Sequence, residues 1–252
     1  MAEKIQNKNL LSYLDYTKQP WGKLFYKIIF KQLPECKSKR ILDFGSGFGI
    51  TANHMAKSNR VTAVEPSDDM LTLGSYDEDI TLYKNAEILS QLPDKSFDAI
   101  ICHNVLEYTD NRREILRQFC RLLADDGFIS IVKHNKAGRI MQKAVFDYEI
   151  DSVKKMLNNE NLTSVKFGEI RIYENKDLIN DSDSKLKLDS SYGICTFYGL
   201  QNNNIKFCDS WINTMLDLEL SVSQIEEFRN IAFYHHLILK KQNNHFKGEN
   251  NG

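Results

Sequence analysis

Asp43, Gly45, Gly47, Gly49 and Glu65 are the residues whose types and spacing point most directly to chemistry. They lie in and after the stretch RILDFGSGFGITANHM, Arg40 to Met55, where an apolar run gives way to three glycines at every second position and then to a helical pattern. A glycine has no Cβ, so a glycine-rich turn at a strand end lets backbone N–H groups approach a ligand closely. In open α/β sheets such ligands sit at the carboxyl ends of the strands. The dinucleotide fingerprint G-x-G-x-x-G asks for a glycine where this chain has Ile50, which disfavours a pyrophosphate and with it a NAD-dependent oxidoreductase. Glu65 ends the run VTAVE, 22 positions after Asp43, near the spacing of the acid that binds ribose hydroxyls. A single nucleoside is the expected ligand; the plainer alternative is a turn whose glycines serve only the turn, with Glu65 a solvated strand end.

Two histidines fall on the same expected edge, His103 after FDAIIC and His134 after GFISIVK. A group that titrates near neutrality can act there as a general base or an orienting donor, or simply sit satisfied in a loop. His235 and His236, on the last strand pattern, and His54, on the helix after the glycines, read as structural. Tyr13, Tyr16, Trp21, Tyr108, Phe146 and Tyr148 are candidates for a pocket wall, although aromatics at helical spacing more often fill a core. The run KHNKAGRIMQK carries Lys133, Lys136, Arg139 and Lys143 with no acid between them, either a phosphate-binding patch or a solvated helix face. Cys36, Cys102, Cys120, Cys195 and Cys208 are widely spaced and never form a CxxC pair, so reduced thiols are expected and neither disulfides nor a metal.

The elements that must position these residues follow from periodicity. WGKLFYKIIFKQL places Trp21, Leu24, Phe25, Ile28, Ile29 and Leu33 on one helical face and Lys23, Lys27 and Lys31 on the other, ended by Pro34. RILDF, RVTAVE, ITLYK, FDAIICH and GFISIVKH read as strands with helices between several of them, a rhythm that predicts a parallel, doubly wound α/β sheet. Asp110 is the expected cap of the helix NRREILRQFCRLLADD, and Asn175 that of a later one. Residues 1–39 form N-terminal helices and 40–134 the ligand-binding core. Residues 135–184 form an insertion or lid after the fifth strand, 185–241 the closing strands and helix, and 242–252 a polar, disordered tail, all in one domain. The formal charge of −1 and pI near 6.6 give no global attraction to nucleic acid or anionic membrane. No apolar run is long enough for a signal peptide core or a membrane span, so a soluble, cytoplasmic protein is expected.

ILDFGSGFG, VTAVEPSDDML, NAEILSQLPDKSFDAIICHNVLEY and LLADDGFISI, taken in order, resemble the successive motifs of the class I S-adenosylmethionine-dependent methyltransferases. The resemblance implies a seven-stranded Rossmann-like sheet and S-adenosyl-L-methionine as cofactor. Asp43, Gly45, Ser46, Gly47 and Gly49 would hold its methionine part, Glu65 and Pro66 the ribose, and Met70 the adenine flank. Asn85, Ala86 and Glu87 would stand at the adenine amino group, and His103 and Asn104 beside the transferable methyl. The flanks TKQPWGKLFY and YGICTFYGL extend the similarity to the transfer RNA wobble-uridine carboxymethoxy methyltransferases and their uncharacterised relatives, which methylate a carboxylate on the modified base. Where those enzymes tend to carry arginines, this chain has Phe25 and Cys195, with Lys23 as a substitute at the N-terminal helix. The expected activity is therefore methyl transfer to an oxygen or nitrogen acceptor, either a modified tRNA base carboxylate or a small carboxylate, phenol or amine. A non-catalytic S-adenosylmethionine-binding module is the alternative from another class.

Overall fold

Short apolar runs of strand length, alternating with amphipathic helical stretches, build an open sheet covered on both faces. The structure is a computed structural model that describes residues 2–158, 160, 162–164, 168–208 and 210–242. Two helices, α1 (Ala2–Lys18) and α2 (Pro20–Gln32), precede β1 (Arg40–Phe44), α3 (Ile50–Ala56), β2 (Arg60–Val64), α4 (Asp68–Leu73), β3 (Thr81–Tyr83), α5 (Ile88–Gln91), β4 (Phe97–His103), α6 (Arg112–Leu122) and β5 (Leu123–His134). Then come α7 (Lys136–Val145), α8 (Ile150–Leu157), a two-stranded pair of β6 (Leu162–Ser164) and β7 (Gly168–Ile170), α9 (Asn175–Asp181), β8 (Leu186–Ile194), α10 (Trp211–Val222), α11 (Glu226–Ile231) and β9 (Tyr234–Lys241). Residues 243–252, nearly all of the expected polar tail, lie outside the described residues.

The main sheet has seven strands in the order β3-β2-β1-β4-β5-β9-β8. β1 to β5 are parallel, as their strand–helix rhythm predicts, and β9 runs antiparallel to both β5 and β8. The reason lies in the connection: residues 195–233 leave β8 at the carboxyl edge and return to β9 at that same edge, so the chain needs no crossover and must come back reversed. As a result, Cys195, Tyr198, Lys206 and Tyr234 stay beside the strand ends that carry the glycine turn. Two expectations shift. β5 begins at Leu123, because α6 stops at Leu122 and Leu123 already pairs with Phe97. The helix caps are Asn111 and Glu174, one residue after Asp110 and one before Asn175.

Alternation along the strands divides the core. Leu42, Ile100, Ile129, Ile131, Leu237 and Leu239 pack with Leu116 and Phe119 of α6 on one face. Ile41, Ile101, Phe128 and Ile238 pack with Ala52 and Met55 of α3 on the other. On α2, Leu24, Ile28 and Ile29 are fully buried, and full burial of such a side chain stabilises by roughly 1.5–3 kcal/mol. α2 is thereby fixed against the β9–β8 end of the sheet, its turn toward the site presenting Trp21 and Phe25. Among the described residues no helix is long and apolar enough to cross a membrane.

Candidate functional site

At the end of β1 the chain turns through Gly45, Gly47 and Gly49 with φ of 72°, 57° and 81°, the left-handed region that favours glycine. Gly45 N–H and Ser46 N–H both donate to Val64 O, at 2.8 and 3.1 Å, holding the turn to β2. Glu65 is 6% exposed; its Oε2 accepts the Gly47 N–H and its Oε1 the Ser67 N–H, each at 2.8 Å. This carboxylate therefore ties the glycine turn to the start of α4 while facing the space above it. Tyr76, which carries no motif signal in the sequence, completes the turn: its hydroxyl donates to Gly47 O at 2.7 Å and sits 2.9 Å from Ser46 Oγ.

The glycines differ in their tasks. A Cβ on Gly47 would meet nothing within 4 Å, so this residue borders open space. A Cβ on Gly49 would lie 2.3 Å from Ser75 O, and Gly49 does not line the cavity. Its lack of a Cβ lets residues 74–76 close over the turn.

A cavity of about 1280 Å³ opens above the strand ends. Asp43, Gly45, Ser46, Gly47, Glu65, Pro66, Met70, His103, Asn104 and His134 all line it, so the structure brings together ten of the predicted site residues. Lys23 does not line it. It is exposed, and lying two residues from both Trp21 and Phe25 it points about 200° around the helix from the face they share. Asn85, Ala86 and Glu87 also lie outside. Asn85 Oδ1 accepts the Glu87 N–H at 2.9 Å, both side chains are exposed, and Ala86 packs on the core instead.

Asp43 is 3% exposed, and its Oδ2 has no hydrogen-bond partner among the described residues. Burial, aided by the charge of Glu65, pushes its pKa up to about 7. Such a site is completed by a cationic, hydrogen-bond-donating group. His134 is held by its own backbone, which donates to Glu107 Oε1 at 2.7 Å, and burial pushes its ring pKa down to about 3. Its Nε2 lies 3.5 Å from Tyr108 Oη, and its Nδ1 has no partner among the described residues.

Away from the glycine turn the cavity becomes aromatic and basic. Trp21, Phe25, Tyr198 and Tyr234 face it together with Arg139 and Lys206. Lys206 is 4% exposed; its ammonium lies 5.5 Å from the Trp21 ring centroid and pairs with no carboxylate among the described residues, and burial lowers its pKa. The turn after β8 that brings Cys195 and Tyr198 to this wall is held by Glu219, which is fully buried and accepts the N–H groups of Thr196, Phe197 and Tyr198 at 2.9, 2.8 and 3.0 Å. The basic run is not one patch. Lys133 is buried, with its ammonium 4.9 Å from the Tyr173 ring centroid, and Lys143 pairs with Glu149 at 2.6 Å. Of its cations, Arg139 and Lys143 face the cavity, and among the described residues only Arg139 does so without a carboxylate partner.

The architecture is similar to that of a candidate S-adenosylmethionine-dependent methyltransferase of Listeria monocytogenes, with a TM-score of 0.61 at 14% identity over 88% of this chain and 99% of that one. Residues 42–131 match the family model described as a methyltransferase domain. That stretch is a methyltransferase domain. It spans β1 to β5 and so contains the glycine turn, Glu65 and His103, whereas Trp21, Arg139 and Lys206 stand outside it. Two ubiquinone biosynthesis O-methyltransferases are similar to part of this chain. That of Hydrogenovibrio crunogenus is 25% identical over 47% of this chain and 52% of its own, and that of Aeromonas salmonicida 30% identical over 46% and 53%. The chain spans about half the length of the curated relatives it matches.

Proposed function

We propose that the protein is an S-adenosylmethionine-dependent methyltransferase whose acceptor is a small, ring-bearing molecule with an anionic group, methylated on oxygen or nitrogen. The observation that carries this reading is the division of one cavity into two unlike ends. One end has an unpartnered, buried Asp43 oxygen beside Glu65 and the open space over Gly47; the other has aromatic walls and an unpaired, buried Lys206. The residues at the first end fit the cofactor: Asp43 takes its amino group, Glu65 its ribose hydroxyls, and Pro66 and Met70 flank the base. When bound, the cofactor supplies a methyl group on a positively charged sulfur whose departure needs no protonation. What the chain itself must do is align, desolvate and hold the acceptor in line, work that positioning alone can carry. Aromatic rings suit a flat acceptor, and a desolvated ammonium makes strong, charge-assisted hydrogen bonds to an anion.

An RNA acceptor is the second reading, since the flanking motifs resemble those of a family that acts on tRNA. It is weakened by the buried Lys133 and the paired Lys143, which reduce the basic face that the 133–143 run offers to phosphates.

Incubating the protein with methyl-labelled cofactor and a cell extract split into RNA and small-molecule fractions tests the choice. Label is expected in anionic small molecules. Label confined to RNA overturns the acceptor class, and label in neither fraction despite cofactor binding makes the protein a binding module. Lys206→Met is expected to raise KM for the acceptor roughly 10–100-fold, the loss of one charge-assisted contact, with cofactor affinity unchanged. An unchanged KM would remove Lys206 from the acceptor site.

A further inference from the structure

Four polar side chains form a continuous hydrogen-bonded line through the otherwise apolar α2 side of the sheet. His103 Nε2 lies 2.8 Å from Ser130 Oγ, Ser130 Oγ 2.7 Å from His236 Nε2, and His236 Nδ1 2.9 Å from Gln32 Oε1. Gln32 Nε2 then donates to Gly193 O at 3.1 Å. The line runs from the end of β4 through β5 and β9 to α2 and β8, and Gln32, Ser130 and His236 are 6%, 0% and 0% exposed.

Its polarity follows from the one group that can only accept. Gly193 O requires the amide nitrogen of Gln32 on its side, so Gln32 Oε1 faces His236 and can only accept. His236 Nδ1 must therefore carry a proton. Burial pushes the His236 pKa down to about 3, so the ring is neutral and its Nε2 is a lone pair. Ser130 has one hydroxyl proton, which goes to that lone pair, and its oxygen then accepts from His103 Nε2–H. Burial also holds His103 well below its ordinary pKa, so this ring too is neutral, with Nδ1 left as a lone pair. That Nδ1 is buried and has no partner among the described residues, and His103 lines the cavity.

We propose that Gln32, His236 and Ser130 are positioning residues that lock His103 into the tautomer with a free Nδ1 acceptor, and that His103 Nδ1 takes a hydrogen bond from the O–H or N–H of the methyl acceptor. The second half rests on the methyltransferase reading of the cavity; the first does not. The nucleophile then enters as a proton donor, a hydroxyl or an amine, and not as a carboxylate. Any carboxylate on the acceptor belongs at Lys206. When the nucleophile gains the methyl group, its proton passes to His103 Nδ1, and the resulting imidazolium keeps its Nε2–H on Ser130 until it releases the proton to water.

Nitrogen-15 spectra of histidine-labelled protein test the lock without any turnover. In the wild type, His103 is expected to show a protonated Nε2 and an unprotonated Nδ1, and Ser130→Ala is expected to move both resonances toward a mixture of tautomers. A protonated Nδ1 in the wild type, or an unmoved signature in Ser130→Ala, overturns the lock. Phenol and anisole, of similar shape but with and without a donor, test the second half. Phenol is expected to shift the His103 Nδ1 resonance and anisole to leave it in place; equal effects, or none from either, overturn the contact. Once an acceptor is found, Ser130→Ala should lower kcat about tenfold while leaving KM for the cofactor unchanged, and an unchanged kcat counts against the role. Absence of any methyl transfer by the wild type would sink the methyltransferase reading and leave the tautomer result standing.

Discussion

Asp43→Asn is expected to raise the melting temperature of the ligand-free protein above pH 7 while weakening cofactor binding roughly 10–100-fold, the loss of charge-assisted hydrogen bonding to an amino group. The two effects have one origin. Asp43 is buried beside Glu65 with an unpartnered oxygen, and its pKa rises from 3.8 to about 7. A carboxyl whose folded pKa lies above its unfolded one favours the folded state least where both states are ionised. Between about pH 4 and 7 the unfolded chain ionises first, so stability drains away as pH climbs, and above 7 the deficit is complete. At about 1.4 kcal/mol per unit the deficit is at most about 4 kcal/mol, and an amide that must still be accommodated should recover on the order of half of it. Thermal melts of wild type and Asp43→Asn at pH 4.5 and 8 check this: the curves should nearly coincide at the lower pH and separate at the higher. A pH-independent gap would mean that Asp43 is ionised and satisfied in the free protein.

Glu219→Ala is expected to destabilise the protein severely, by on the order of 3–5 kcal/mol. The carboxylate is fully buried, and three consecutive backbone N–H groups converge on it. Removing it leaves three buried donors without an acceptor, at positions where a methyl group admits no orderly replacement. Glu219→Gln should fall between, because an amide oxygen can keep the Phe197 and Tyr198 bonds while its NH2 opposes the Thr196 N–H. Denaturant midpoints at constant slope measure both. In the folded fraction, cofactor affinity should survive, since the turn that Glu219 holds builds the aromatic end of the cavity and not the glycine end. A Glu219→Ala protein as stable as the wild type would show that the three donors find other acceptors.

The two ends were not equally legible in the sequence. Asp43, Gly45, Gly47, Glu65 and Met70 lie within one strand–turn–helix, the strand after it and the start of the next helix, so sequence order nearly dictates their geometry. The parallel order of β1 to β5 was legible for the same reason, and the reversal of β9 was not, because it depends on where a 39-residue connection ends in space. Lys23 is instructive. The helical period of residues 21–33 already set it opposite Trp21 and Phe25, and only the resemblance to enzymes with an arginine nearby drew it toward the site. Gly49 shows the converse: its spacing suits a ligand turn, yet the 2.3 Å approach of Ser75 O explains the glycine with no ligand at all. Ser130 stands out in retrospect as a lone hydroxyl in the apolar run FISIV, but its partners His236 and Gln32 follow only from the pairing of β5 with β9 and the docking of α2. Lys206 carried no signal, being one lysine among many polar residues until burial distinguished it.

The aromatic wall draws on both ends of the chain, Trp21 and Phe25 from α2 and Lys206, Phe233 and Tyr234 from the last fifth. Contacts that close so long a loop form late in folding, whereas the neighbourhood of residues 43–70 is local and forms early. During synthesis, a chain that has emerged as far as β5 carries the residues of the glycine end of the cavity and none of Lys206, Phe233 and Tyr234. The aromatic end of the cavity is thus expected to be complete only once β9 has paired with β5.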